Sequence, residues 1–90
     1  MMKRYHLIVH GKVQGVGFRI YTQLEALKRN VNGWAKNRTD GTVEIDAEGS
    51  NEQIDDFINA IKRGSPFSNV SRVEQYEDAS FNHYSSFKIK

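Results

Sequence analysis

The sequence has 90 residues with no cysteine, one proline and seven glycines; 38% of the residues are hydrophobic, 27% are charged, and the formal net charge is +2. That length predicts one domain over residues 1–90 with one site, and the composition excludes a disordered chain, a disulfide framework and a thiolate metal centre. No apolar run approaches the roughly 20 residues of a membrane span and Met1–His6 leads into no signal-like apolar stretch, which predicts a soluble, cytoplasmic protein with no membrane partner.

From Arg4 to His10 the residues Tyr5, Leu7 and Val9 alternate with His6, Ile8 and His10, the period of a strand. Gly11, Gly15 and Gly17 crowd the next seven positions and predict a loop. Ile20, Leu24, Leu27 and Val31 then recur at helical spacing after Phe18, with Lys28 and Arg29 at the end that suits the helix dipole; a helix of about three turns is expected, with these four residues as its core face. Trp34–Arg38 and Thr42–Glu48 flank Asp40-Gly41 as a β-hairpin, whose second strand buries Val43, Ile45 and Ala47 and leaves Glu44, Asp46 and Glu48 as a solvated acidic row. Ser50 through Gln53 forms a capping box for a second helix, which presents Ile54, Phe57, Ile58 and Ile61 on one face and ends at Gly64 and Pro66. Val70–Tyr76 and Tyr84–Ile89 complete the pattern as strands.

The order β-α-β-β-α-β with a short extra strand predicts an α+β, ferredoxin-like α/β sandwich, with two helices on one face of an antiparallel sheet. That fold hosts many activities, so function has to be argued from a site.

Charge directs attention to the first half of the chain. Residues 1–43 hold eight Lys and Arg against two carboxylates, a net of +6, and residues 44–90 hold five against nine, a net of −4. This asymmetry fits an anionic ligand or solvated charge, and by itself leaves both open. Within the basic half, Gly15-Val16-Gly17-Phe18-Arg19 joins a strand to a helix N-terminus. Small residues there let backbone N–H groups curl around an anion, and an arginine can fork onto phosphate oxygens. The string is not a Walker A loop, since no Gly-Lys-Ser/Thr follows, and it lacks the third glycine of a dinucleotide fingerprint.

Gly11-Lys12-Val13-Gln14-Gly15-Val16-Gly17-Phe18-Arg19, followed after a helix by Gly33-Trp34-Ala35-Lys36-Asn37-Arg38-Thr39-Asp40-Gly41-Thr42-Val43-Glu44, closely resembles the two signatures of the acylphosphatase family. The resemblance extends over nearly the whole chain, including Gly64–Val70 before a strand. It implies hydrolysis of a small-molecule acyl phosphate to a carboxylate and inorganic phosphate, with no metal or other cofactor. By the same resemblance Arg19 binds phosphate together with the backbone of Gly15, Val16, Gly17 and Phe18. Asn37 orients the attacking water and Thr42 supports the site from behind. Ile20 stands where members usually carry an aromatic residue, and Ala35 replaces a common β-branched one.

Other constellations have simpler explanations. His6 and His10 lie about 13 Å apart along a strand and cannot share one ion, with or without His83. Trp34, Tyr5 and Phe87 lack the accompanying pattern of an RNA-binding sheet and are expected to pack, so no nucleic-acid partner is predicted. Asp40 before Gly41 has a full account as a turn residue. Two rivals to the enzyme are a carbamoyl-phosphate-binding domain of a larger maturation factor, disfavoured by a chain ending at Lys90 without zinc-binding or transferase segments, and a non-catalytic RNA-binding module. A monomer is the default expectation.

Overall fold

In a computed structural model that describes all 90 residues, the alternating segment forms strand β1 (Met2–Lys12), with Leu7 and Val9 fully buried on one side. It is followed by helix α1 (Phe18–Lys28), strands β2 (Asn32–Asn37) and β3 (Val43–Ser50), helix α2 (Asn51–Arg63), strand β4 (Asn69–Asp78) and the short strand β5 (Phe87–Ile89). The strands form one sheet in the order β4-β1-β3-β2-β5. Leu7, Val9, Val43, Ile45 and Ala47 share their core with Ile54, Phe57, Ile58 and Ile61 of α2 and with Phe18 and Ala26 of α1, so both helices cover the same face. This is the ferredoxin-like α+β arrangement read from the sequence.

Helix α2 follows its sequence signals closely. The Ser50 hydroxyl accepts from the Gln53 N–H at 3.3 Å, and Gly64 ends the helix with φ 76°. Elsewhere the sheet and its last strand, the acidic row and the phase of α1 need correction. The sheet is mixed, because β5 pairs parallel to β2 (Gly33 beside Phe87, Ala35 beside Ile89) while every other pair is antiparallel. The last strand is also confined to three residues, because residues 79–86 cross the outer face of the sheet before pairing begins.

The second correction concerns the acidic row. Asp46 and Glu48 are buried rather than solvated, with 1% and 3% exposure, and Glu44 is half-buried. Arg4 forks onto Asp46, donating from Nε at 2.8 Å and from Nη2 at 3.1 Å, and Tyr84 Oη donates to it at 3.1 Å. Glu48 accepts from the N–H groups of Asn82 and Tyr84. His6 meets Asp46 through Nδ1 and Glu44 through Nε2, and His10 meets Glu74, so both histidines are engaged within the outer face. Burial opposes ionisation of Asp46, but the hydrogen bonds from Arg4, His6 and Tyr84 outweigh it and hold the carboxyl below the usual range.

The third correction is the phase of α1. Ile20, Leu24 and Leu27 are more than half exposed, whereas Phe18, Thr22, Glu25 and Ala26 face the sheet; of the four expected core residues only Val31, beyond the helix, is buried. The Phe18 ring is fully buried and packs against Tyr21 with centroids 5.7 Å apart and planes tilted by 37°, and small Thr22 and Ala26 let the helix approach the sheet. Thr22 donates its hydroxyl to Phe18 O at 2.9 Å, which removes the penalty of burying it. Glu25 is tied down by Lys28 and Arg29, and the Lys28 hydrogen bond leads in lowering its pKa.

The aromatic residues separate as expected of packing groups. Phe87 belongs to the core and Tyr5 packs against it, while Trp34 lies on the opposite face, donating to Tyr84 Oη at 3.1 Å with Lys90 Nζ 4.6 Å from its ring.

Candidate active site

The loop between β1 and α1 turns on two glycines in the left-handed region, Gly15 at φ 72° and Gly17 at φ 74°. A Cβ at either position would meet nothing within 4 Å, so the requirement for glycine is conformational rather than steric. Gly17 is also the N-cap of α1 and supplies no side-chain cap. The N–H groups that open a helix have no intrahelical partner, and the hydrogen bonds of the protein leave those of residues 15–20 untaken. A ring of outward N–H dipoles at the positive end of a helix is the physical basis of an anion site. Val16, between the glycines, is half-buried and packs its side chain against the core instead of lining the cleft.

Arg19 occupies the first turn of α1. Arg4, Arg29, Arg38 and Arg72 each have an Asp or Glu side chain within 4.0 Å, but Arg19 has none. Its Nη1 donates to the main-chain oxygen of Lys90 at 2.8 Å, and one turn later Gln23 Nε2 donates to Phe87 O at 3.0 Å. Helix α1 is thereby laced to β5. The one Arg19 bond orients the guanidinium and leaves most of its five donors available.

Asn37 closes β2 opposite Val43, on the face that carries Ala35 into the core. Its Oδ1 is buried without a hydrogen-bond partner, a condition that structural polar groups seldom sustain. The following turn is built by Asp40, whose Oδ1 accepts from Thr42 N at 3.0 Å and from Thr42 Oγ1 at 2.6 Å; these bonds lower the Asp40 pKa, the hydroxyl contributing most. Thr42 is buried and lies outside the cleft.

Gly15, Gly17, Arg19 and Asn37 converge on one cleft of about 250 Å³. Val13 and Phe18, both 1% exposed, form its floor, and Ile20 and Ile89 stand at its rim. Two contributors escaped the sequence reading. Gln14 Nε2 donates to Arg38 O at 2.7 Å and to Thr42 O at 2.9 Å, fastening the glycine loop to the turn after Asn37. The second is the end of β5, which meets Arg19 only through tertiary structure. For Gln14 the signal was its place inside the first motif; for Ile89 and Lys90 the local sequence offered none.

Comparison with known proteins identifies the lineage. A family model described as Acylphosphatase matches residues 5–89. The acylphosphatase of Bacillus velezensis is 50% identical over 88 residues, covering 98% of this chain and 98% of the relative. That of Bacillus subtilis is 49% identical over 88 residues, with 98% and 97% covered. The crystal structure of acylphosphatase from Bacillus subtilis has a TM-score of 0.95 at 48% identity, covering 100% of this chain and 99% of that one. Full-length HypF in its phosphate- and nucleotide-bound form is also similar, with a TM-score of 0.91 at 30% identity, but the match covers 12% of that chain. Motifs, fold and full-length relatives agree, and the chain belongs to the acylphosphatase family.

Proposed function

We propose that the protein hydrolyses the carboxyl-phosphate bond of acyl phosphates, with Arg19 and the N–H groups of residues 15–19 holding the phosphoryl group and Asn37 orienting water. The observation that carries this reading is the convergence on one cleft of an arginine unpaired with any Asp or Glu side chain, a glycine loop with untaken N–H groups, and an asparagine whose buried oxygen has no partner. Water attacks phosphorus in line with the bond to the acyl oxygen; the P–O bond breaks, the carboxylate leaves with its electron pair, and the water proton passes to a phosphoryl oxygen. Charge spreads over the equatorial oxygens on the way, where the Arg19 fork and fixed N–H dipoles stabilise it. A carboxylate is a good leaving group, so positioning supplies the catalysis and an amide without useful basicity suffices beside the water.

Relatives covered over 98% of their length are named acylphosphatase, which favours hydrolysis over the carbamoyl-phosphate-binding and RNA-binding alternatives. Thr42 supports the site through the Asp40 turn. The reading includes a single domain over residues 1–90 that works in the cytoplasm as a monomer, with no metal, organic cofactor or nucleic acid. No helix is long and apolar enough to cross a membrane.

The test is hydrolysis of benzoyl phosphate in the presence of chelator. Turnover by the wild type is expected to fall about 10²- to 10⁴-fold in Arg19→Ala, in proportion to losses seen for comparable electrostatic groups. Folded Asn37→Ala is expected to lose kcat with little change in KM, because it removes a contact to water rather than to substrate. A folded wild type that fails to hydrolyse this mixed anhydride, or that needs metal to do so, overturns the mechanism.

A further inference from the structure

Helix α1 presents its aliphatic residues to solvent, and the first of them lies at the cleft. Ile20 is 58% exposed and Ile89 is 37% exposed, yet both line the same cleft as Arg19 and Asn37. Folding alone gives no reason for either exposure, since the core of α1 is supplied by Phe18, Thr22 and Ala26. The two residues come from distant parts of the chain and meet because Arg19 and Gln23 lace α1 to β5.

Resting on the hydrolytic reading above, we infer that Ile20 and Ile89 form the subsite for the acyl group and select acyl phosphates with apolar, branched or aromatic acyl chains. The polar members of the cleft are committed: Gly15, Gly17 and Arg19 to the phosphoryl group and Asn37 to water. In-line displacement places the leaving carboxylate opposite the water, so the acyl group has to run along whatever lining is left. That lining is the pair of isoleucines at the rim. A cleft of about 250 Å³ holds more than a phosphoryl group, at ~30 Å³ for each water-sized occupant. Arg19 is the only charged residue in the lining; Lys88 and Lys90, which flank Ile89, line a separate pocket with Trp34, Lys90 Nζ lying 4.6 Å from that ring. An acyl group carrying a second anionic charge therefore finds no counter-charge in the lining, whereas an apolar one removes the exposed surface of both isoleucines from water.

The experiment measures kcat/KM for benzoyl phosphate and for acetyl phosphate and follows their ratio through variants, so that the intrinsic reactivity of each substrate cancels. Ile20→Ser with Ile89→Ser is expected to lower the benzoyl-to-acetyl ratio about tenfold, chiefly through KM for benzoyl phosphate. Ile20→Leu, which keeps the apolar surface, holds the ratio within about twofold of wild type. Leu27→Ser, an equally exposed aliphatic position two turns away from the cleft, leaves the ratio unchanged. Turnover of both substrates by the double serine variant at the wild-type ratio overturns the subsite while leaving the hydrolytic reading intact. Failure of the folded wild type to hydrolyse either substrate overturns that reading, and the subsite falls with it.

Discussion

Asp46 gathers three donors on the outer face of the sheet, and one of them, Tyr84, is itself the acceptor for Trp34 Nε1 and Asn82 Nδ2. A single carboxylate thus fastens residues 79–86 to β1 and β2. Replacing it by asparagine leaves the Arg4 guanidinium, 14% exposed, with Asp78 at 3.4 Å as its remaining ionic partner. Asp46→Asn removes the charge from the acceptor of two Arg4 hydrogen bonds and should destabilise the fold by about 1–3 kcal/mol, read as a lower urea midpoint at unchanged slope. Tyr84→Phe strands Trp34 Nε1 and is expected to cost about 1–2 kcal/mol in the same measurement. At this scale the sequence was uneven in what it disclosed. Arg19 and Asn37 stood out as candidates because their motifs join residue type to a fixed local spacing, and both line one cleft. The burial of Asp46 was not, because alternation distinguishes two faces of a strand without saying which later segment covers the second one.

Helix α1 shows the same limit for a whole element. Its length and its helical period were readable, and its rotation was not, since three aliphatic residues at i, i+4 and i+7 outvote one phenylalanine in any periodicity count. Area and fit decide otherwise: one fully buried ring with two small neighbours brings the helix closer to the sheet than three bulky aliphatics allow. Leu27→Gln should therefore change stability by less than about 0.5 kcal/mol, whereas Ala26→Leu, at a fully buried contact, is expected to destabilise by about 1–3 kcal/mol. Thermal melts of the two variants side by side check the phase directly. Helix α2 had no such ambiguity because its cap, its apolar stripe and its glycine stop all specify one phase. At the junction before α1, Gly17→Ala forces a Cβ into the left-handed region and should cost about 1–2 kcal/mol while weakening inhibition by inorganic phosphate.

For the molecule as a whole, Glu25 and Asp46 link stability to pH. Both are depressed in the folded state, Glu25 chiefly by the Lys28 hydrogen bond and Asp46 by donors that overcome its burial. The unfolded chain then holds more protons than the folded one as acid is added, so this stabilisation is complete above the ordinary carboxylate range of about 3.9–4.3 and is lost as pH falls through the depressed folded values. The melting temperature should accordingly drop on acidification from pH 6 to pH 3, and Asp46→Asn should flatten that dependence. Arg4 and Tyr21 are shifted upward, away from this window, and do not contribute to it. The fold class was recoverable from chain order alone, but the parallel pairing of β5 was not, because three residues carry too little pattern to reveal their direction.

That short strand sets the order in which the molecule comes apart. Phe87–Ile89 pairs only with β2, through bonds such as Gly33 N–H to Ser86 O at 2.9 Å and Lys90 N–H to Ala35 O at 2.8 Å, yet its end lines the cleft and its oxygens hold Arg19 and Gln23. A three-residue edge opens by local fluctuation long before the strands it borders. In native-state hydrogen exchange the amides of Gly33 and Lys90 should exchange well ahead of those in the β1–β3 ladder. Each such opening releases Arg19; with Arg19 in its proposed role, inactivation under mild denaturant should precede the loss of secondary structure.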